Sequence, residues 1–147
     1  MSEKKVAVFV VATANDVSQL PPEMLRKGRW DELFFVDLPN QTEREAIWEI
    51  QIRKYGRNPK EFDTVQLAKA TEGLTGSEIE GAFVDALYAA FDHGKEPTDL
   101  TIAQILTEFV PLSKLMSEHI NGLRTWSKGR TKLATSVGAE RKLRRIA

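Results

Sequence analysis

The feature that most constrains the fold is an apolar run from Val6 to Val11, bounded by Lys4 and Lys5. Its β-branched and aromatic residues, followed by a polar turn, are typical of a fully buried strand. Asn15 would then follow the carboxyl end of that strand. Because ligands of open α/β sheets bind beyond the carboxyl ends of the strands, an amide there could hold a water or a phosphate oxygen. The run therefore predicts an α/β sheet with a ligand site at one edge.

Two arginines follow the predicted strand, Arg26 and Arg29, with Gly28 between them. Guanidinium groups stay charged and bind phosphate through a planar fork, so both residues are candidates for contact with a nucleotide. Taken singly, Asn15 is more often a turn former and each arginine a solvated surface charge. Their joint order and spacing favour a nucleotide site instead.

The segments ATAND, PPEMLRKGRWDE and FFVDLP, in this order, resemble the second region of homology of the AAA family of ATPases, within the AAA+ class. The resemblance implies that Asn15 matches sensor 1, which orients the attacking water. It also implies that Arg26 and Arg29 match the paired arginine fingers. Such fingers act in trans on the γ-phosphate held by a neighbouring subunit, so ATP and Mg²⁺ are the cofactors of a complete module.

Beyond Pro39 the pattern changes to helices. Helical spacing of apolar residues and turn signals predict helices over 42–55, 64–71, 77–91 and 102 to about 124. Thr42 and Glu45 have the spacing of a capping box, and Gly56 follows the first helix. Pro111 is expected to break or kink the last helix.

The segment from Asn40 to about Gly94 resembles the helical lid of AAA proteins. In GLTGSEIEGAF, the resemblance to sensor 2 implies that Gly76 and Ser77 lie near the nucleotide sugar and base. Gln51 aligns with a position where related unfoldases often place an adenine-facing histidine. A capping box that opens a helix, and an ordinary exposed glutamine, explain the same residues without a ligand.

The whole pattern predicts an α/β fold: the carboxyl-terminal part of a P-loop AAA+ core, contributing two strands, followed by a mainly helical lid. Residues 1–39 would end the core, 40–95 form the lid, 96–127 carboxyl-terminal helices and 128–147 a disordered basic tail. PLSKLMSEHINGLRTWSKGR resembles AAA proteins first named as open reading frames of plastid and cyanobacterial genomes. The second core strand is expected over Leu33 to Val36.

Two AAA motifs do not occur in the sequence. There is no GxxxxGK[ST] to hold phosphates and no apolar strand that ends in Asp-Glu to hold Mg²⁺. The chain alone is therefore expected neither to bind ATP tightly nor to hydrolyse it, and to be a fragment or a split gene product. In the AAA fold the phosphate-loop strand lies between the two strands expected here, so both should expose unpaired edges.

Composition excludes several classes. The formal net charge is +0, so no overall field favours nucleic acid or membrane as a partner. Residues 128–147 carry seven Lys or Arg against one acid, which leaves nucleic-acid binding through Lys128 to Arg145 as a third hypothesis. The absence of cysteine and of a long apolar run predicts a cytoplasmic protein without a membrane span. His93 and His119 lack partners at ligand spacing, so no metal site is expected.

The sequence thus favours part of an AAA ATPase that couples ATP binding and hydrolysis to remodelling of an unknown protein substrate. The expected partners are AAA subunits in a homo-oligomeric, hexameric ring. The alternative is a non-catalytic module that docks on a full-length AAA partner and regulates it.

Overall fold

The computed structural model describes residues 8–26 and 28–135. It divides the chain after Glu32 into two compact units. The described part of the first unit contains two short 3₁₀ turns, Val17–Gln19 and Pro22–Leu25, and no strand. Asp16 caps the first turn, since its Oδ1 accepts a hydrogen bond from the Ser18 amide at 2.8 Å.

The strand predicted over Val6 to Val11 is not present in its described residues. Val6 lies outside the described residues, and 8–11 form no regular structure. Their side chains are largely exposed, from 66% for Val10 to 91% for Phe9. A strand needs a neighbour to satisfy its backbone groups, and no described residue pairs with this run. The prediction of a buried strand is therefore wrong for residues 8–11.

The second unit begins with β1 (Phe34–Phe35) and continues into α1 (Gln41–Lys54). The capping box of α1 is formed by Asn40 and Glu43, not by the predicted pair two residues later. The Asn40 Oδ1 accepts from the Glu43 amide at 3.0 Å, and the Glu43 Oε2 accepts from the Asn40 amide at 2.9 Å. The helix therefore begins one residue before the predicted start. Gly56 follows its end with a φ of +76°.

Three further helices complete the helical core: α2 (Thr64–Ala70), α3 (Gly76–Asp92) and α4 (Asp99–Thr107). The predicted second and third helices are confirmed to within one residue at each end. The start of α3 carries a capping box formed by Thr75 and Glu78. These local signals explain why the helices begin where they do.

The core lies between these four helices. Phe83 is fully buried and meets Trp48, Tyr55 and Phe62 edge to face, with ring centroids 5.9 to 6.2 Å apart. The Trp48 Nε1 donates to the Thr71 Oγ1 at 3.2 Å, so the buried indole is not left unsatisfied. The other buried apolar residues of this cluster are Ile52, Leu67, Ala68, Leu74, Ile79, Ala82, Ala86 and Ile102.

The helix predicted from 102 to about 124 is broken at Pro111, as expected, between α4 and α5 (Leu112–Leu115). A second interruption, at Met116, was not predicted and separates α5 from α6 (Ser117–Ser127). After it, β2 (Lys132–Leu133) pairs in parallel with β1. The Lys132 amide donates to the Leu33 carbonyl at 2.9 Å, and the Ala134 amide to the Phe35 carbonyl at 2.9 Å.

This pairing corrects two expectations. The strand at Phe34–Phe35 does not expose two unpaired edges, because β2 covers one of them. Residues 128–135, predicted as the start of a disordered tail, form a turn and this strand; residues 136–147 lie outside the described residues. Within the described part of the chain, no helix combines the length and apolar character needed to cross a membrane.

Candidate functional site

A cleft of about 600 Å³ lies in the second unit, where the segment after β1 meets α1, the start of α3 and α6. Most of its walls are apolar. Such a cleft, with a few polar groups, is typical of sites for small organic ligands. The lining residues are Phe35 to Pro39, Glu43, Ala46, Ile47, Thr75, Gly76, Ile120, Leu123, Ala134 and Thr135.

The α1 and α3 helices position the predicted residue Gly76 in this cleft. Gly76 is the first residue of α3, and a Cβ added to it would lie 3.8 Å from the Ile47 Cδ1. The start of α3 therefore packs closely on α1. Ser77 is exposed and does not line the cleft, and Gln51 does not line it either. Of the three residues predicted to contact nucleotide, the structure thus places only Gly76 in the cleft wall.

Glu78 fixes the start of α3. Its Oε2 accepts from the Thr75 amide and hydroxyl, both at 2.7 Å, and its Oε1 accepts from the Leu112 amide at 2.7 Å. Partial burial alone would raise the pKa of this carboxyl, but these three hydrogen bonds together lower it. The carboxylate offsets the positive end of the helix dipole.

Gln51 carries an unsatisfied polar atom. Its Oε1 is buried and has no hydrogen-bond partner among the described residues. Gln51 lies one turn after Ile47 and one turn before Tyr55, whose hydroxyl donates to the Glu80 Oε1 on α3 at 2.8 Å. The spacing places Gln51 along the side of α1 that faces α3. A buried amide oxygen without a donor leaves one hydrogen bond unmade.

An ion pair that the sequence analysis missed holds α6 against this cleft. The Arg124 Nε donates to both oxygens of Asp37, at 3.0 and 2.9 Å. These hydrogen bonds raise the pKa of the Arg124 guanidinium above its ordinary value. The pair places Ile120 and Leu123 on the cleft wall. No local spacing predicts a contact between residues this far apart in the chain.

The other predicted site residues lie in the first unit. Asn15 is exposed and follows residues without regular structure. Arg26 and Arg29 are brought together by a tight turn, in which the Arg29 amide donates to the Arg26 carbonyl at 3.4 Å and Gly28 has a φ of +89°. Both side chains are exposed, and neither forms an ion pair with another described residue. The turn thus presents two guanidinium groups to solvent.

The described residues contain no group of three or more His, Cys, Asp or Glu side chains that could hold a metal ion.

Comparison with curated proteins gives clear relatives. The chain is 44% identical to an uncharacterized AAA domain-containing protein, ycf46, of Trieres chinensis, over 92% of this chain and 28% of that protein. It is 42% identical to the ycf46 protein of Pyropia yezoensis, over 86% of this chain and 26% of that protein. It is 35% identical to the proteasome-activating nucleotidase of Sulfurisphaera tokodaii, over 64% of this chain and 24% of that protein. No protein-family model and no solved structure matches the chain.

A mainly helical domain with a two-stranded parallel sheet fits the carboxyl-terminal region of an AAA+ protein. The relatives make the assignment specific: the chain belongs to the AAA family and carries the carboxyl-terminal part of an AAA module. Within that family it is similar to the ycf46 proteins over most of its length. The chain spans about a quarter of the length of these relatives.

Proposed function

We propose that this chain supplies the trans-acting part of an AAA ATPase site. In this proposal Arg26 and Arg29 reach the γ-phosphate of ATP held by a neighbouring subunit, and Asn15 orients the attacking water. The observation that carries the proposal is the turn that presents both guanidinium groups to solvent without an ion pair to another described residue. A fixed positive charge beside the transferred phosphoryl group stabilises the transition state.

The cleft beside α3 is proposed to hold the uncharged part of the nucleotide. Gly76 lines it; Gln51 does not, and its contact with adenine stays a prediction from the resemblance alone. Ser77, exposed beside Gly76, is proposed to lie near the sugar. These features fit a nucleoside, so ATP and Mg²⁺ are proposed for the complete module, where Mg²⁺ neutralises phosphate charge. The chain alone is not expected to bind ATP tightly.

The proposed assembly is a homo-oligomeric ring, a hexamer, in which hydrolysis drives remodelling of a protein substrate. Its activity depends on a neighbour because the fingers act across the interface between subunits.

A mixed-ring assay tests the proposal. The chain is mixed with a full-length ycf46 relative whose residues aligned with Arg26 and Arg29 have been replaced by alanine, and phosphate release from ATP is measured. The proposal predicts that the wild-type chain restores hydrolysis. The Arg26→Ala, Arg29→Ala double variant should not, while Arg53→Ala, which removes an exposed arginine of α1, should behave as wild type.

The regulatory alternative predicts a different result. A docking module would change the hydrolysis rate of the unmodified relative equally with or without Arg26 and Arg29. Co-assembly shown by native mass spectrometry, without restored hydrolysis, would reject the finger assignment.

A further inference from the structure

A second cavity of about 460 Å³ lies at the start of α1. It shares only Leu38 and Pro39 with the cleft described above and contains none of the residues proposed to contact nucleotide. Its walls are mainly polar. The remaining lining residues are Asn40, Gln41, Arg44, Lys69, Glu72, Gly73 and Arg124.

Arg44 is a buried cation in the wall of this cavity. Only 7% of its surface is exposed. Its Nε donates to the Ala68 carbonyl at 2.8 Å and its Nη1 to the Pro39 carbonyl at 2.7 Å. No described carboxylate forms an ion pair with it. Because carbonyls orient a guanidinium without neutralising it, the buried charge lacks a counter-charge.

The start of α1 adds a backbone donor. The Asn40 amide is already bonded to the Glu43 carboxylate. Gln41, the first residue of the helix, lines the cavity, and its amide has no acceptor within the helix. The helix start therefore offers a donor to an anion beside the Arg44 guanidinium.

Three other charged residues line the cavity, Lys69, Glu72 and Arg124, and Arg124 is bonded to Asp37. Glu43 is engaged in the capping box at the helix start. With Arg124 paired, Arg44 and Lys69 outnumber Glu72 by one positive charge. A cavity with one excess positive charge fits a small oxyanion.

We propose that this cavity binds a phosphate group, held by the Arg44 guanidinium and the Gln41 amide with Lys69 at the rim. The group is either free phosphate or the phosphate of a small monoester. The site is independent of the proposed catalytic function, because it uses none of the same residues.

The test is a nuclear magnetic resonance titration of the whole chain with sodium phosphate at constant ionic strength, with chloride as the reference salt. We expect saturable shifts of the Gln41 amide and the Arg44 Nε–H, with a dissociation constant on the order of 1 mM. A parallel titration with glycerol 3-phosphate distinguishes the sources, since tighter binding than phosphate identifies a monoester.

Because Arg44 also ties α1 to α2 and its replacement could unfold the chain, the deciding variant is Lys69→Gln. It should weaken phosphate binding about fivefold, as expected for an exposed charge. The matched control Lys60→Gln, an exposed lysine outside the cavity, should leave binding unchanged. The proposal is overturned by unsaturable shifts, by equal weakening in both variants, or by shifts centred on Thr75 and Gly76 instead.

Discussion

Residues 8–32 and the helices α1 to α4 illustrate two different outcomes for apolar sequence. Trp48 and Phe83 are fully buried because the helices that cover them belong to the same chain. Phe9 is 91% exposed, and none of the described residues up to Glu32 is buried. A helix satisfies its own backbone and needs only one partner face, whereas a strand needs a neighbour along its edge. The helices α1 to α4 therefore bury their apolar residues within this chain, whereas the described residues up to Glu32 do not.

The strongest test of this contrast compares Trp48→Ala with Phe9→Ala. Removing the buried indole leaves a cavity and removes the hydrogen bond that its Nε1 donates to the Thr71 hydroxyl, so the free energy of unfolding should fall by about 3–5 kcal/mol. Removing the exposed ring should change it by less than about 0.5 kcal/mol. Urea denaturation followed by circular dichroism measures both. Equal losses would show that Phe9 is buried.

Two glycines of the helical part should respond in opposite ways to substitution by alanine. Gly73 has a φ of +81°, and an added Cβ would lie 2.9 Å from the Ser113 Oγ, so Gly73→Ala should destabilise the chain by about 1–2 kcal/mol. Gly81 lies inside α3 with nothing within 4 Å of an added Cβ. Gly81→Ala should therefore stabilise by about 0.5–1 kcal/mol. Thermal denaturation distinguishes the two, and a shift of the same sign in both would contradict the placement of Gly73.

The capping box of α3 should contribute less. Thr75→Ala removes the hydroxyl that accepts from the Glu78 amide, and a loss of about 1 kcal/mol is expected. Ser77→Ala, at an exposed position in the same turn, is the matched control and should change stability by less than about 0.5 kcal/mol. If chemical denaturation gives the two variants the same stability, the cap does not determine where α3 begins.

The smallest expected effect is a dependence on pH. The pKa of Glu78 is lowered from its ordinary value of 4.5 in the folded protein. Its ionised form therefore adds stability above about pH 4.5, which is lost as the pH falls through the lowered folded-state pKa. Glu78→Gln should reduce the fall in stability below pH 4.5 by less than about 1 kcal/mol. Denaturation curves of the variant and of wild type from pH 3 to pH 7 measure this difference in stability. A pH profile that is the same in both proteins would contradict the hydrogen bonds assigned to Glu78.

The sequence predicted the features that depend on local signals. Helical periodicity and turn residues located α1 and α3 to within one residue at each end, and Pro111 marked the break before α5. The capping box of α1 was misplaced because two overlapping pairs have the required spacing and Asn40 caps as well as threonine does.

Features that depend on distant residues could not be predicted. The Arg124–Asp37 pair and the β1–β2 pairing join segments far apart in the chain, and no periodicity encodes such a contact. The apolar run at Val8 was assigned to a strand from its composition alone. Composition indicates a preference for pairing but does not supply the partner. In the proposed site, the resemblance predicted Gly76, whereas the sequence did not predict that α6 and the residues after β2 line the cleft.

Hydrogen–deuterium exchange of the chain, alone and mixed with a full-length ycf46 relative and ATP, measures whether the helical part folds by itself. It also measures whether the segment with Asn15, Arg26 and Arg29 is completed by an AAA neighbour. We predict slow exchange in α1 and α3 in both samples. Residues 8–32 should exchange rapidly in the chain alone and become protected in the mixture. Uniform protection from Val8 onward in the chain alone, or no change on mixing, would contradict the account.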